Sequence, residues 1–355
     1  MNKDFCLDVT SLHHIGHSGV ENVASHLKEA ALLLEITCVY WDAKSSSYRN
    51  ESTGSTAYFS PGSRIFIPDI PRVRDRVNYL LLLNKKRNVS YSILVHDLLP
   101  IDFPEYFPNH AVEEFYNFLK LLHKANVIGC VSRQTLNSVA NYFTVKNRKA
   151  PDLELWTLPF RILETQPGTS LSLATPEVNI LVLGNIEPRK NLISIFNVIP
   201  LLKAHLNDFT ITFVGAHQWG TDFFQSEIAL CLRKNLKVRY YPNASQFVLD
   251  TIWLNTNLVL YPSFFEGFGL PIVEAIYRDI PVVANRELPA SILVSESSRF
   301  FGFDVSDEQS FLASILDASD SKNYIDPLKV VQGSNLHRKD WGEWAINTIL
   351  GFMKT

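Results

Sequence analysis

Short β-rich runs alternate with segments of helical period along most of the chain, and this alternation constrains the fold more than any other feature. The β-rich runs fall at residues 5–9, 35–41, 90–98 and 126–132 in the first half, and at 178–186, 209–216, 236–242, 257–263 and 280–286 in the second. Helical segments between them include 20–34, 110–124 and 133–143, and a Ser-rich loop is expected at 45–56. Strands that alternate with helices are typical of parallel sheets. The pattern therefore predicts an α/β protein.

Length and composition predict two domains. The chain has 355 residues, 46% of them hydrophobic, which is more than one core usually organises. Residues 161–177 are rich in Thr, Ser, Pro and Gly, as expected of a linker. We expect a Rossmann-like domain over 1–165, a second over 166–335, and a final helix at 336–355 that packs back toward the first. Two doubly wound domains that face each other across a cleft are the simplest arrangement.

Charge, cysteine usage and hydropathy exclude several classes of protein. The net charge is −3 without a concentrated basic excess, which disfavours nucleic-acid binding. The four cysteines are far apart and contain no C-x-x-C pair, which is typical of reduced thiols in a cytosolic protein. The apolar run at 30–41 is interrupted by Glu35 and is too short to cross a bilayer, and residues 1–16 do not resemble a signal peptide. We therefore expect a cytoplasmic protein, soluble or peripheral to the inner face of a membrane.

The stretch "FFEGFGLPIVEA" at 264–275 carries two acids that packing does not explain. It follows a predicted strand, and its glycines allow backbone geometries that larger residues forbid. A helix that begins near Pro271 would point free N–H groups and a partial positive charge at a phosphate. Glu274, inside that helix, could accept the vicinal hydroxyls of a ribose, while Glu266 would lie nearer the group beyond the distal phosphate. Either acid alone suits a structural cap, but together they indicate a site for a nucleotide diphosphate joined to a polyhydroxylated group.

A second motif, "LGNIEPRKNL" at 183–192, also follows a predicted strand and precedes a helix. Arg189 and Lys190 stand at the helix start, where the helix dipole disfavours cations. Two cations in such a position suggest an anionic ligand, because Arg and Lys are the usual partners of phosphate oxygens. The alternative is a solvated surface after Pro188.

Both motifs resemble those of a known family. "EGFGLPIVEA" matches the Glu-x7-Glu signature of the family 4 retaining, nucleotide-sugar-dependent glycosyltransferases, which have the GT-B fold, and "GNIEPRKN" resembles their diphosphate-binding turn. The resemblance covers most of the chain. It is looser in the first half, where "HSGVENV", "LVHDLLPIDFPEYF" and "CVSRQT" lie where the family has similar elements. It implies transfer of a sugar from its nucleotide to an acceptor with retention of the anomeric configuration.

Carried over by position, the resemblance implies a role for individual residues. Arg189 and Lys190 would hold the diphosphate and Glu274 the ribose, while Glu266 would contact the hydroxyls of the donor sugar. The remaining implied positions are the backbone of Phe268, Gly269 and Leu270 beside that sugar, His96 near it, and Ser132 facing the cleft.

Two further features of the sequence concern the same ligand. Gly16 and Gly19 would let the backbone of their loop approach the donor phosphates or the acceptor. One departure from the family is Asn185, since many members carry an arginine just after the glycine of this turn. Arg189 is the residue that could substitute for it.

The chemistry of transfer requires positive charge where the leaving diphosphate becomes more negative. No Asp-x-Asp motif occurs in the chain, so we expect neither a metal nor another cofactor, and the two basic residues with the helix dipole would supply the charge. Retention can use a carboxylate nucleophile. The family instead implies front-face transfer, in which the leaving phosphate takes the acceptor's proton and Glu266 positions the donor. His13, His14 and His17 lie close in sequence, but a zinc site needs further ligands, and a polar loop near the acceptor is the preferred interpretation.

The expected function is that of a hexosyltransferase in the synthesis of a surface polysaccharide or glycolipid. The motifs "LVHDLLP" and "EPRKN" most resemble mannosyltransferases, so GDP-mannose is the expected donor and a saccharide or lipid-linked saccharide the acceptor. Alternatives are a UDP- or dTDP-sugar donor, or an inactive nucleotide-sugar-binding partner subunit. The basic helix at 71–88 could contact an anionic membrane, although its apolar stripe also suits the domain core.

Overall fold

The computed structural model describes residues 5–13, 19–160, 177–206, 208–320 and 327–354. The chain divides into a first unit, Met1–Pro159 with Lys339–Thr355, and a second unit, Phe160–Arg338. Except for Glu177, the linker predicted at 161–177 lies outside the described residues. Each unit is built on one sheet, as the alternating pattern predicts.

Within the described residues, the sheet of the first unit has seven strands in the order β3-β2-β1-β4-β5-β6-β7. These are β1 (Phe5–Asp8), β2 (Thr37–Asp42), β3 (Ser47–Asn50), β4 (Arg64–Ile67), β5 (Ser90–Val95), β6 (Val127–Cys130) and β7 (Asp152–Leu155). Neighbours are parallel except β2 and β3. The prediction of a loop at 45–56 is therefore wrong in part, because Ser47–Asn50 forms β3. Tyr48 is fully buried against Trp41, with ring centroids 5.5 Å apart, and this packing holds β3 against β2.

Helices connect the strands of the first unit as predicted. They are α1 (Gly19–Leu33), α2 (Arg74–Arg87), α3 (Leu99–Asp102), α4 (Asn109–Leu122) and α5 (Arg133–Val145). Helix α4 buries Phe115, Phe118 and Leu122, whose spacing of three and four residues places them on the face that meets the core. The helices predicted at 20–34, 110–124 and 133–143 are confirmed, each with its bounds shifted by one or two residues.

The sheet of the second unit has, within the described residues, six parallel strands in the order β10-β9-β8-β11-β12-β13. These are β8 (Val178–Leu183), β9 (Phe209–Val214), β10 (Lys237–Tyr241), β11 (Leu258–Tyr261), β12 (Val282–Asn285) and β13 (Phe300–Phe303). The order is that of dinucleotide-binding sheets, in which ligands lie where the strand order reverses. Here it reverses between β8 and β11, so the loops that follow Leu183 and Tyr261 are neighbours.

The helices of the second unit are α6 (Leu192–His205), α7 (Asp222–Arg233), α8 (Gln246–Leu254), α9 (Leu270–Tyr277), α10 (Pro289–Leu293), α11 (Glu308–Ala318) and the start of α12 (Pro327–Lys354). The core of this unit lies between the sheet and α6 and α7. Phe213 of β9 stacks on Phe196 at 5.5 Å and meets Phe224 edge-on at 5.2 Å. Full burial of each such ring stabilises the fold by about 1.5–3 kcal/mol.

From Lys339 onward, α12 belongs to the first unit. The ring of Phe352 lies 5.3 Å from that of Phe5 in β1 and 4.6 Å from that of Phe66 in β4. Arg64 donates a hydrogen bond of 2.9 Å to the carbonyl of Met353. This last described helix therefore covers strands β1 and β4 of the first sheet. None of the described helices is both long and apolar enough to cross a membrane.

Candidate functional site

Two glycines shape the loop that follows β8. Gly184 has a φ of +141°, and a Cβ there would lie 3.3 Å from Nζ of Lys190. Gly215, at the end of the neighbouring β9, has a φ of +152°, and a Cβ there would lie 2.0 Å from the carbonyl oxygen of Gly184. Only glycine allows the two loops to approach so closely. This close approach brings the lysine over the carboxyl end of the sheet.

After this loop, Pro188–Lys190 forms a short 3-10 helix, and Asn191 adopts a left-handed φ of 52° before α6 begins. The backbone N–H of Phe264 donates to the carbonyl of Arg189 at 2.9 Å. Asn191 donates through Nδ2 to the carbonyl of Pro262. These two bonds tie the loop after β8 to the loop after β11, so the two sequence motifs are held together by their backbones.

The side chains of both motifs meet in one buried ion cluster. Lys190 Nζ lies 2.6 Å from Glu266 Oε1, and Arg189 Nη1 lies 2.7 Å from Glu266 Oε2. Arg189 uses Nη2 to pair with Glu187 at 2.6 Å. Tyr261 donates its hydroxyl to Glu266 Oε1 at 2.8 Å and accepts from Lys190 at 3.0 Å. Two cations thus face two carboxylates, and the formal charge of these four side chains is zero.

The cluster sets the protonation of Glu266. Burial by itself would raise the pKa of this carboxyl, but Arg189 and then Lys190 outweigh burial and lower the pKa to about 2. Burial also lowers the pKa of Lys190, against the attraction of Glu266, and raises the pKa of Tyr261. Glu266 is therefore a carboxylate throughout the neutral range, and Tyr261 remains a hydroxyl that can donate.

Glu274 lies on α9, which begins directly after Gly269. Gly269 has a φ of +106°, a conformation that side chains disfavour. Burial raises the pKa of the Glu274 carboxyl, and Arg278 opposes that shift. Among the described residues the carboxylate has no hydrogen-bond or ion-pair partner, because Arg278 donates to the backbone carbonyl of Glu274 instead. A half-buried, unpaired carboxylate is costly for the fold, which makes it a candidate ligand-binding group.

The remaining predicted residues of this loop hold it in place against the neighbouring helices. Phe268 is buried and accepts, through its carbonyl, the N–H of Ala290 at 2.9 Å. Leu270 is the first residue of α9 and is half-buried. The backbone of 268–270 therefore connects the acidic loop to α10 and to the start of α9.

The predicted residues of the first unit fall into a separate group. His96 is buried at the end of β5, where its Nε2 lies 2.7 Å from the carbonyl of Pro68, so Nε2 carries the proton and donates. Burial lowers the pKa of His96, which favours the neutral ring. The Ser132 hydroxyl caps α5 by accepting the N–H of Thr135 at 3.0 Å, and Thr135 donates its own hydroxyl to the carbonyl of His96. His96 and Ser132 are thus joined through one threonine.

Of the two glycines predicted to approach the ligand, the structure describes only one. Gly19 is exposed at the first position of α1, and Gly16 lies outside the described residues, as do His14 and His17. His13 stacks on Tyr40, with ring centroids 3.9 Å apart, and pairs with Glu51 at 2.5 Å. Across the described part of the chain, no group of three His, Cys, Asp or Glu side chains could hold a metal ion.

Two members of the ion cluster are absent from the sequence-based prediction. Glu187 lies two residues before Arg189 and is not among the predicted site residues, although its side chain is only 4% exposed. Tyr261 ends an apolar strand and is indistinguishable in the sequence from a core aromatic residue. The position of Glu187 inside "EPRKN" was an available signal, whereas Tyr261 gave none.

Comparison with known proteins identifies the segment that holds the cluster. Residues 170–329 match the family described as glycosyl transferases group 1. This segment is a group 1 glycosyltransferase domain. The domain contains both motifs, and therefore Glu187, Arg189, Lys190, Glu266 and Glu274.

The sequence is also similar to bacterial mannosyltransferases over about half of the chain. Over 210 residues, or 55% of this chain, the sequence is 24% identical to the serotype-specific mannosyltransferase WbdA of Escherichia coli and covers 26% of that protein. Over 196 residues, or 54% of this chain, it is 26% identical to the O-antigen chain mannosyltransferase B of Escherichia coli and covers 51% of it. The matches thus span between a quarter and half of the length of these relatives.

Solved structures match the fold over nearly the whole chain. Sucrose-phosphate synthase from Thermosynechococcus elongatus has a TM-score of 0.67 at 14% identity, covering 99% of this chain and 98% of that one. HepE of Anabaena, solved with UDP and glucose, has a TM-score of 0.66 at 14% identity and covers 99% of both chains. The fold is therefore GT-B, as the resemblance in sequence implies.

Proposed function

We propose that the chain is a retaining hexosyltransferase that transfers mannose from GDP-mannose to a saccharide or lipid-linked saccharide acceptor, in the synthesis of a surface polysaccharide or glycolipid. The observation that carries the proposal is the buried cluster of Arg189, Lys190 and Glu266 at the point where the strand order reverses in a group 1 glycosyltransferase domain. The similarity to two mannosyltransferases supports mannose as the sugar. UDP- and dTDP-sugars are the alternative donors.

In this proposal the two cations act on the leaving group. Cleavage of the anomeric C–O bond leaves the electron pair of that bond on the diphosphate, whose negative charge then grows. Arg189 and Lys190 stabilise that charge in a largely buried setting, where electrostatic interactions are stronger than in water. No metal or other cofactor is invoked, because the basic residues supply the positive charge.

Glu266 has a positioning role in this proposal. Its carboxylate is already paired with two cations, and these ion pairs lower its pKa to about 2 and so reduce its basicity. A weakly basic, ion-paired carboxylate is better suited to accept hydrogen bonds from sugar hydroxyls than to abstract a proton. Front-face transfer, in which the diphosphate oxygen takes the acceptor's proton, is consistent with this role. His96 would add a hydrogen-bond acceptor, since its protonated Nε2 leaves Nδ1 with a lone pair.

A panel of donors tests the proposal. The protein is incubated with GDP-mannose, UDP-glucose and dTDP-rhamnose, and hydrolysis of each donor is followed by release of the nucleoside diphosphate. The proposal expects GDP-mannose to be consumed fastest, and NMR of the released sugar to show the retained anomer first. Breakdown of a different donor would refute the choice of mannose. Tight nucleotide binding without breakdown of any donor would favour the non-catalytic partner subunit.

The proposal also includes contact between helix α2 and an anionic membrane. Lys85, Lys86 and Arg87 are exposed in its last turn, and Leu82 is 46% exposed on the same helix. Each basic residue near an anionic surface contributes about 1 kcal/mol. We expect sedimentation with phosphatidylglycerol vesicles but not with phosphatidylcholine vesicles, and loss of sedimentation on Lys85→Gln with Lys86→Gln. Undiminished sedimentation of the variant with phosphatidylglycerol vesicles, or equal sedimentation of the parent with both kinds of vesicle, would contradict the contact.

A further inference from the structure

Helices α4 and α5 of the first unit enclose a groove that has no part in the ion cluster. Leu119 and the two aromatic residues Tyr116 and Tyr142 are among the residues that line it, and its volume is about 390 Å³. That volume falls in the range of small-molecule sites, roughly 300–1,000 Å³. Tyr116 is 52% exposed, so a large aromatic face is available to a ligand.

The groove has a fixed geometry. His123 at the end of α4 meets Tyr142 of α5, with Nε2 and the hydroxyl oxygen 3.0 Å apart. At the end of α5, Asn147 takes a left-handed φ of 48°, and the N–H of Arg148 bonds to the carbonyl of Phe143 at 3.0 Å. This is the Schellman arrangement that commonly ends a helix. It holds the backbone of Arg148 in one position at the rim of the groove.

The rim is positively charged. Lys120, Lys146 and Arg148 line the groove, and within the described residues none of the three has an ion-pair partner. The pKa of His123 lies below its usual value, first because of burial and then because of the positive charges of Arg148 and Lys124. No aspartate or glutamate is among the described residues that line the groove. The cations are therefore not neutralised there, although the chain as a whole is slightly acidic.

The helix dipole explains only part of this arrangement. Cations are favoured at helix C-termini, and Lys120 and Lys146 both stand at such ends. That preference requires neither an aromatic wall nor a third cation placed beyond the end of α5. Tyrosine faces combined with cations are suited to a sugar ring that carries a negative group, because the ring packs on the aromatic surface and the anion pairs with Lys or Arg.

We propose that the groove between α4 and α5 binds a sugar that carries a carboxylate or a phosphate. The ring of the sugar lies against Tyr116 and Tyr142, and its anionic group pairs with Lys146 and Arg148. This site is separate from the donor site of the proposed function and would bind an acidic saccharide whether or not that function is correct.

Calorimetric titration of the full chain with four small molecules tests this inference. The probes are glucuronate, glucose 6-phosphate, glucose and inorganic phosphate. Glucuronate or glucose 6-phosphate should bind at least on the order of tenfold more tightly than either glucose or inorganic phosphate, because only these two probes combine the ring and the charge. Binding of one and not the other would identify the anionic group. Equal affinity for glucose, or for phosphate alone, would overturn the proposal.

Two matched double variants locate the binding. Lys146→Gln with Arg148→Gln should weaken binding of the acidic sugar on the order of tenfold. The control, Lys44→Gln with Arg74→Gln, removes the same charge from exposed positions of the same unit and should leave the affinity unchanged. Bound anion should also raise the pKa of His123, which an NMR titration of its ring protons detects. Equal losses in both double variants, or no loss in the first, would refute the site. Donor hydrolysis should be unchanged in all of these proteins, and their thermal unfolding serves as the control for folding.

Discussion

Lys190 Nζ lies 2.6 Å from Glu266 Oε1, and the same carboxylate pairs through its other oxygen with Arg189 at 2.7 Å. The two cations that we propose for the donor diphosphate are thus already paired with a residue that we propose for the donor sugar. An anionic ligand that binds these cations has to compete with Glu266. This competition leads to a prediction about affinity that differs in sign from the usual effect of removing a site residue.

Glu266→Gln should bind free GDP about tenfold more tightly than the parent, because the carboxylate that competes for both cations is removed; tenfold corresponds to about 1.4 kcal/mol. Sugar transfer should nevertheless fall, since the amide no longer positions the donor as the carboxylate does. Calorimetry gives the affinity and a transfer assay gives the rate. The control is Glu287→Gln, an exposed acid nearby, which should change neither quantity. Weaker GDP binding in Glu266→Gln would show that the carboxylate does not compete.

Lys190→Ala should lower the turnover of sugar transfer by about a hundredfold or more, as expected when a preorganised group that stabilises the leaving charge is lost. It should also destabilise the second unit, because breaking a buried ion pair by removing one partner costs about 3–5 kcal/mol. Single-turnover rates and urea unfolding measure the two effects. Lys203→Ala on the exposed side of α6 is the matched control. Transfer at the parent rate in Lys190→Ala would exclude the lysine from the site.

Glu274→Ala should weaken GDP binding and, more specifically, remove discrimination between GDP and 2′-deoxy-GDP. The reason is that the carboxylate is proposed to accept the vicinal hydroxyls of the ribose. The parent should favour GDP over 2′-deoxy-GDP by roughly 1.5–3 kcal/mol, the value of a hydrogen bond to a charged group. Competition between the two nucleotides measures this difference. If the variant retained the parent's preference, the ribose would have to be recognised elsewhere.

Glu274→Gln should raise the thermal midpoint of the protein at neutral pH. The pKa of Glu274 is raised in the folded state, so the folded parent is destabilised as pH rises and the carboxyl becomes charged. The glutamine carries no charge, so the variant does not lose this stability. The gain should disappear at a pH below about 4, where the parent carboxyl is protonated in both states. Thermal unfolding across this pH range is the measurement. A lower midpoint at neutral pH would mean that the carboxylate has a stabilising partner.

Titration of Glu266 should change the free energy of unfolding with pH in the opposite direction. Its pKa falls from the ordinary value of 4.5 to about 2 on folding, so its contribution to stability is complete above 4.5 and is lost as pH falls toward 2. The contribution amounts to about 3 kcal/mol. The parent should therefore lose more stability than Glu266→Gln between pH 5 and pH 2, as measured by urea unfolding. Parallel losses in the two proteins would place the depressed pKa in doubt.

Much of the site could be predicted because its residues occupy particular points of the strand pattern. Arg189 and Lys190 follow β8, and Glu266 follows β11, so the sequence predicts that both motifs lie at strand ends and bind one ligand. That β8 and β11 are neighbours, and that the three side chains pair, comes from the structure. The neutrality of the cluster could not be predicted. It depends on Glu187 being turned toward Arg189 instead of solvent, and on Tyr261 placing its hydroxyl between Lys190 and Glu266.

The errors in the fold prediction arise at a sheet edge. Strand β3 has one neighbour, β2, and contains polar residues that read as a loop. What makes it a strand is tertiary packing of Tyr48, which a local pattern does not reveal. The sequence predicts the central strands β1, β5, β8 and β11 correctly, because a strand buried on both faces is mostly apolar.

The C-terminal helix has a consequence for how the protein is made. Phe352 rests on Phe5 and Phe66, so strands β1 and β4 acquire this cover only after the whole second unit has been synthesised. During translation their apolar surface is exposed for as long as that synthesis takes, at about 5–20 residues per second. The nascent chain thus exposes this apolar surface until α12 has been made, and premature termination after the second unit would leave the surface permanently uncovered.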